Sequence, residues 1–232
     1  MTTINKEEVH KFSHSNWWNY NSLESKMLHR LNILRMKFID SMMDVDNIDV
    51  LDVGCGGGIA SESLFRCGAS VIGIDASKEA IDCAKLHAKE GNLKIDYQHT
   101  AIEDFNSKKQ FDAVFANDII EHVESVPLFL QHLERHLKPK GILVISTINK
   151  NVLSFVFAKV MAEYVLKLVP KGTHEYSKFL TPNTIKNYLN EGFTHLKTQG
   201  FSYNPLTNEF FFEPTALVNY FIVFQKNTGN VS

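Results

Sequence analysis

Strand-like and amphipathic runs alternate through the middle of this chain, and the first changeover between them is a glycine-rich turn. Asp49-Val50-Leu51-Asp52-Val53 reads as a short strand that runs into Gly54-Cys55-Gly56-Gly57-Gly58, and a helix is expected over 59–67. A strand feeding a helix through glycines is the corner at which a doubly wound sheet binds its ligand. Ser70 to Asp75 reads as the next strand, and Ser77 can cap a helix over 78–90 that stops at Gly91. Further strands are expected over 94–99, 111–116 and 141–147, with a helix over 126–137 closed by Lys138-Pro139-Lys140-Gly141. This alternation predicts a parallel sheet covered on both faces. Upstream, to about Asp44, apolar residues such as Leu23, Met27, Leu28, Leu31, Leu34 and Phe38 recur at helical spacings. Beyond Asn151 the order changes to a long amphipathic segment, a loop over 170–178, a helix over 182–190 and two terminal strands, 194–203 and 219–225.

The 232 residues suit one domain over 1–232: a helical extension (1–44), a ligand-binding core (45–150), an amphipathic insertion or lid (151–180) and a closing helix with strands (181–232). A formal net charge of -2 argues against non-specific nucleic-acid binding, which needs a basic field. Seventeen Phe and seven Tyr exclude a disordered chain. Cys55, Cys67 and Cys83 form no C-x-x-C, which points to a reducing compartment without structural zinc. The first 30 residues have no signal-peptide pattern.

Glycines in such a turn admit a ligand against bare backbone, or simply close a tight connection. A dinucleotide fingerprint would place a further glycine where Ile59 stands. Asp75 ends the next strand 21 residues after Gly54, where a carboxylate can accept both hydroxyls of a ribose or cap a helix. Loop and acid together favour a nucleoside ligand.

The segments Val50 to Gly58, Gly73-Ile74-Asp75 and Phe111-Asp112-Ala113-Val114 resemble the ordered motifs of class I S-adenosylmethionine-dependent methyltransferases. Asn16-Trp17-Trp18, Leu28 to Arg35, Val169 to His174, Tyr203 to Asn208 and Val218-Asn219-Tyr220 are similar to the ubiquinone biosynthesis O-methyltransferase family, over nearly the whole chain. The resemblance implies an α/β fold with a doubly wound, mostly parallel, Rossmann-like sheet of seven strands, an N-terminal helical extension and an inserted amphipathic segment. It also implies methylation of phenolic hydroxyls on polyprenylated catechol and quinol precursors, at both O-methylation steps of ubiquinone biosynthesis. Matching positions assign S-adenosylmethionine to Arg35, Gly54, Asp75 and Asn117, with Gly56 added from the glycine turn. Without the resemblance a solvated helix face is an alternative reading of Arg35. Two positions depart from the family pattern: Ile33 replaces a proline, loosening a turn before Arg35, and Lys140 replaces a glycine. The adenine neighbourhood is expected near Ala101-Ile102-Glu103-Asp104.

A phenol titrates near 10, so methyl transfer needs a group that takes or displaces its proton. Asp118, Glu121 and His122 are the candidates, and on a helix they would share one face. Three readings stand. Together they suit a hard divalent cation such as Mg²⁺, for which Asp118 is one methylene shorter than the family's Glu-x-x-Glu-His. His122 beside Glu121 can instead act as a metal-free base, or the cluster can be structural. His174 is a further candidate base, and Asp52 and Asp112 read as structural.

Residues 152–169 are apolar, but Lys159, Glu163 and Lys167 recur every four residues and line one helical face, so the segment does not span a bilayer. It packs over the sheet, or lies on a membrane surface and admits a polyprenyl tail, with Lys171 and Lys178 meeting headgroups. The substrate favours the membrane. The expected partners are therefore the polyprenylated substrate, a membrane surface and other enzymes of the pathway, with no nucleic acid. The expected location is the cytoplasm, peripherally on the inner face of a membrane.

Overall fold

The computed structural model describes residues 3–4, 17–155, 176–189 and 191–228. Residues 156–175 of the expected lid over 151–180 lie outside them, and with them Lys159, Glu163, Lys167, Lys171 and His174. Val152–Phe155 is helical and Tyr176–Lys178 forms a 3-10 turn. No helix among the described residues is long and apolar enough to cross a membrane.

Helix α1 (Leu23–Met42) opens on Ser22, whose hydroxyl accepts the Ser25 N–H at 3.1 Å. Strand β1 (Asp49–Val53) and helix α2 (Ile59–Arg66) flank the glycine turn. β2 (Ser70–Asp75), α3 (Lys78–Glu90), β3 (Asp96–His99) and β4 (Phe111–Asn117) follow. Then come a 3-10 turn (Ile120–His122), α4 (Val126–Arg135), β5 (Leu137–Ile148) and α5 (Pro182–Leu189). β6 (Phe193–Asn204), β7 (Glu209–Glu213) and β8 (Asn219–Lys226) close the chain.

The sheet order is β3-β2-β1-β4-β5-β8-β6-β7, eight strands where seven are expected. β1 to β5 pair in parallel, while β8, β6 and β7 add antiparallel ladders. The eighth strand is β7. Its Phe210-Phe211-Phe212 run lacks the alternation that marks a strand in sequence, and it forms by folding back on β6 through a turn in which Asn208 has φ 60°. The other ends shift modestly: β3 starts at Asp96, and β5 begins already at Leu137.

Side chains on β1, β4, β5 and β8 alternate between two cores. Leu51, Val53, Val114, Ile145 and Ile222 pack beneath α4 and α5 with Phe129, Leu133, Ile185 and Leu189. Val50, Phe115, Val144, Phe221 and Val223 pack beneath α1 with Leu34, Phe38 and Ile39. Ile33 lies mid-helix in α1 and is exposed, so no turn precedes Arg35 and the missing proline loosens nothing there. Lys140 has φ 64°, the left-handed conformation that a glycine would adopt without strain.

Candidate active site

β1 and β4 are neighbouring parallel strands, so their carboxyl ends open side by side, and a cavity of about 420 Å³ lies there. Gly54 leaves β1 with φ +72°, and a Cβ on it would stand 2.3 Å from Ile119 Cδ1. Gly56 has φ +53°, and a Cβ would stand 2.6 Å from the Trp17 ring. Only glycine meets both demands at either place. The turn is tied to β2, since Gly54 and Cys55 N–H groups donate to Ile74 O at 2.9 and 3.0 Å.

Asp75 is bonded on both oxygens. Gly56 N donates to Oδ2 at 2.9 Å and Ser77 N to Oδ1 at 2.7 Å. Burial raises the Asp75 carboxyl above its ordinary range, and these two N–H donors oppose the rise. The residue therefore anchors the entry to α3, the helix-capping alternative read from the sequence, and it lines the cavity.

Arg35 reaches the cavity from α1 and is buried, not solvated. Its Nη2 donates to Asp118 Oδ2 at 2.6 Å, while Ser146 Oγ donates to Asp118 Oδ1 at 2.8 Å. Asp118 sits in a left-handed bend with φ 52° just after β4, ahead of the 3-10 turn Ile120–His122, so the segment is not the helix over 118–122 on which a shared face rests. Glu121 is buried, and Thr147 Oγ1 donates to its Oε2 at 2.8 Å. Burial raises its carboxyl above the ordinary range; a charged His122 would lower it and Asp118 adds to the rise. Arg35, Gly54, Gly56, Asp75, Asn117, Asp118, Glu121 and His122 all line the one cavity, as do Ala101 and Ile102.

Asp52 also lines it, a role its position inside a strand does not announce. It is buried and accepts Ser61 Oγ at 2.6 Å; burial drives its pKa up to about 6, against the Ser61 bond and the charge of Arg35. Asp112 is structural as read, accepting Asp49 N at 2.9 Å and Lys138 Nζ at 2.8 Å. Leu28, Leu31, Phe201 and Phe210 form an apolar wall of the same cavity, and α1 with the β6–β7 hairpin supplies it. The helical spacing predicts α1 and the strand over 194–203 predicts β6; β7, which carries Phe210, is not predicted.

The residues fit a nucleoside donor carrying an amino-acid tail. Arg35 Nε and Asn117 Nδ2 are buried donors without a hydrogen-bond partner, which a polar ligand would satisfy. Gly54 and Gly56 line the same cavity as Asp75 with no side chains of their own. A divalent cation fits less well, because Asp118 is already engaged by Arg35 and Ser146. Among the described residues no three His, Cys, Asp or Glu side chains converge as a metal-binding group.

A methyltransferase-domain family model matches residues 51–145. The ubiquinone biosynthesis O-methyltransferase of Pelagibacter ubique is 41% identical over 98% of this chain and 100% of its own length. That of Rickettsia typhi is 40% identical over 100% and 97%, and that of Bartonella tribocorum 36% identical over 97% and 98%. In fold, magnesium protoporphyrin IX methyltransferase from Synechocystis, solved with bound SAH, superposes with a TM-score of 0.66 over 95% of this chain and 94% of its own at 16% identity. With full-length identities of this size and a sheet whose glycine turn and Asp75 face one cavity, the chain belongs to the ubiquinone biosynthesis O-methyltransferase family, in the class I S-adenosylmethionine-dependent fold.

Proposed function

We propose that this chain transfers the methyl group of S-adenosylmethionine to phenolic hydroxyls of polyprenylated catechol and quinol precursors, at both O-methylation steps of ubiquinone biosynthesis. Family membership supports the substrate class. The observation that carries the reading is the sharing of one cavity by Gly54, Gly56 and Asp75 with Glu121 and His122. Bound S-adenosylmethionine supplies an electrophilic methyl on a sulfonium. Asp75 accepts from ribose hydroxyls, and Arg35 and Asn117 offer their unused N–H groups to the donor's amino-acid end. His122 takes the phenol proton, and the Glu121 carboxylate beside it compensates the imidazolium that forms. The buried walls hold acceptor oxygen and methyl in line and exclude water, so that much of the rate comes from alignment.

A hard divalent cation on Asp118, Glu121 and His122 is the second reading. Its support is that all three donors line one cavity; loading would require Asp118 to leave Arg35. A labelled methyl donor with a short-chain polyprenyl catechol, assayed with and without EDTA, tests both readings. Turnover that survives the chelator and is lost in His122→Ala supports the metal-free base. Turnover abolished by EDTA and restored by Mg²⁺ replaces it with the metal reading. No methyl transfer to any catechol overturns the proposed function.

Peripheral association with the inner face of a membrane belongs to the same proposal, supported by the polyprenyl acceptor and the composition of 152–169. Binding to liposomes should rise with anionic lipid and weaken with salt. Sedimentation without such binding, in a protein active on a long-chain acceptor, overturns it.

A further inference from the structure

Trp17 and Trp18 are the chain's two tryptophans, and nothing proposed above uses them. Both are half-buried on the glycine turn. The Trp17 indole lies flat against the backbone of Gly56 and Gly57; a Cβ on Gly57 would stand 2.2 Å from its Cγ. The same indole lines the cavity. The turn thus lacks side chains at Gly56 and Gly57 because the indole occupies the space they would fill.

Trp18 is fixed on the outside. Its Nε1 donates to Gly57 O at 2.8 Å, and its ring stacks on the His87 imidazole with centroids 3.4 Å apart and planes 6° from parallel. His87 comes from α3, and its Nδ1 lies 2.7 Å from Oε1 of Glu62 on α2, a buried carboxylate that Arg66 also approaches at 3.6 Å. From α1, Ser25 Oγ and His29 Nε2 reach Trp17 O at 2.8 and 3.1 Å. A carbonyl only accepts, so His29 carries its proton on Nε2 there. Helices α1 and α3 contact the dipeptide directly, and α2 backs His87 through Glu62.

We propose that Trp18, His87 and Glu62 form a latch that holds Trp17 as a wall of the donor pocket, where it contacts bound S-adenosylmethionine. This rests on the donor-site reading above. Trp18, His87 and Glu62 are positioning residues: they touch Trp17's neighbours rather than the reacting atoms, so their loss falls on donor affinity and spares the chemical step.

The pair is also its own probe, because all tryptophan emission comes from the latch. S-adenosylhomocysteine is titrated into the full chain while emission and calorimetric heat are followed in parallel. The wild type should show a saturable change in emission at the calorimetric Kd. His87→Ala and Trp18→Ala should each raise that Kd, and KM for S-adenosylmethionine, by roughly 3–30-fold, the weight of one hydrogen bond and one ring stack. The change should fall on the donor KM and leave the acceptor KM in place. Trp18→Phe keeps a ring on His87 but not the N–H, and should fall between. Should Trp18→Ala fail to fold, His87→Ala carries the test, since its imidazole lies outside the cavity. Unchanged emission in wild type that binds by calorimetry overturns the latch, and so does wild-type affinity in folded His87→Ala. A wild type that takes up no ligand by calorimetry overturns the donor-site reading itself, and the latch with it.

Discussion

At the glycine end of the cavity the polar groups are largely backbone, with Gly56 and Ser77 N–H groups fixing Asp75 and the turn bound to Ile74 O. At the opposite end they are side chains, Arg35 from α1 and Asp118 and Glu121 from the bend after β4, held by Ser146 and Thr147 of β5. The first construction comes from short stretches of chain in special conformations. The second needs residues as far apart as Arg35 and Asp118, which are 83 positions from each other, to meet with side chains correctly turned. The glycine end is therefore built through its backbone and the other end through side chains from distant segments, which makes the second end the more adjustable by substitution.

Breaking the backbone end should have the largest effect. Gly54→Ala forces φ +72° on a Cβ that meets Ile119, and should cost about 2–4 kcal/mol of stability together with donor binding. Thermal unfolding and calorimetry with S-adenosylhomocysteine measure the two. Asp75→Ala removes the proposed ribose acceptor and should lose about 2–4 kcal/mol of donor affinity, charged hydrogen bonds being worth more than neutral ones. Unchanged affinity would remove Asp75 from the site.

Asp52 lies between the two ends and sharpens the comparison through pH. Its folded pKa of about 6 stands above the unfolded value, so the folded state holds the extra proton between roughly pH 4 and 6. Stability contributed by this residue falls as pH rises through that window and stays low above it. Asp52→Asn removes the charge, and should raise stability at pH 7.5 by up to about 3 kcal/mol while leaving it nearly unchanged at pH 4. Urea titrations at the two pH values decide; an equal effect at both would refute the charge argument.

Changes at the adjustable end should be milder in stability. Arg35→Gln strips Asp118 of its partner, but Asp118's side chain is 38% exposed and water takes over, so the loss should be about 1 kcal/mol. Donor affinity should fall by more than this, because Arg35 is proposed to serve both roles; matched losses would confine it to structure. The smallest effect lies away from the cavity. Lys140→Gly relieves a left-handed backbone at φ 64° and should stabilise by about 0.5–1 kcal/mol after the entropy of the freer chain is counted, with activity unchanged.

The same contrast governs what could be read before the fold was known. The β1 to β5 alternation, the glycine turn and Asp75 are legible because short apolar strand runs between helices, a glycine run and a strand-end acid are contiguous patterns with local causes. β7 escaped because Phe210-Phe211-Phe212 becomes a strand only when β6 offers an edge. A helix through 118–122, the condition on which a shared face for Asp118, Glu121 and His122 depends, does not form because Asp118 takes a left-handed bend, yet all three line the one cavity.

The sequence alone determined the doubly wound core and the glycine corner at the end of β1, since each depends on residue type and spacing over a few turns of chain. Only the tertiary structure decided that Arg35 pairs with Asp118, that Asp52 faces the cavity with a raised pKa, and that Trp17 lies on Gly56. Those three facts depend on burial and on contacts between distant segments. A buried carboxylate and an exposed one are spelled alike, and the low-dielectric surroundings that separate them exist only once the sheet and its helices have closed around the site.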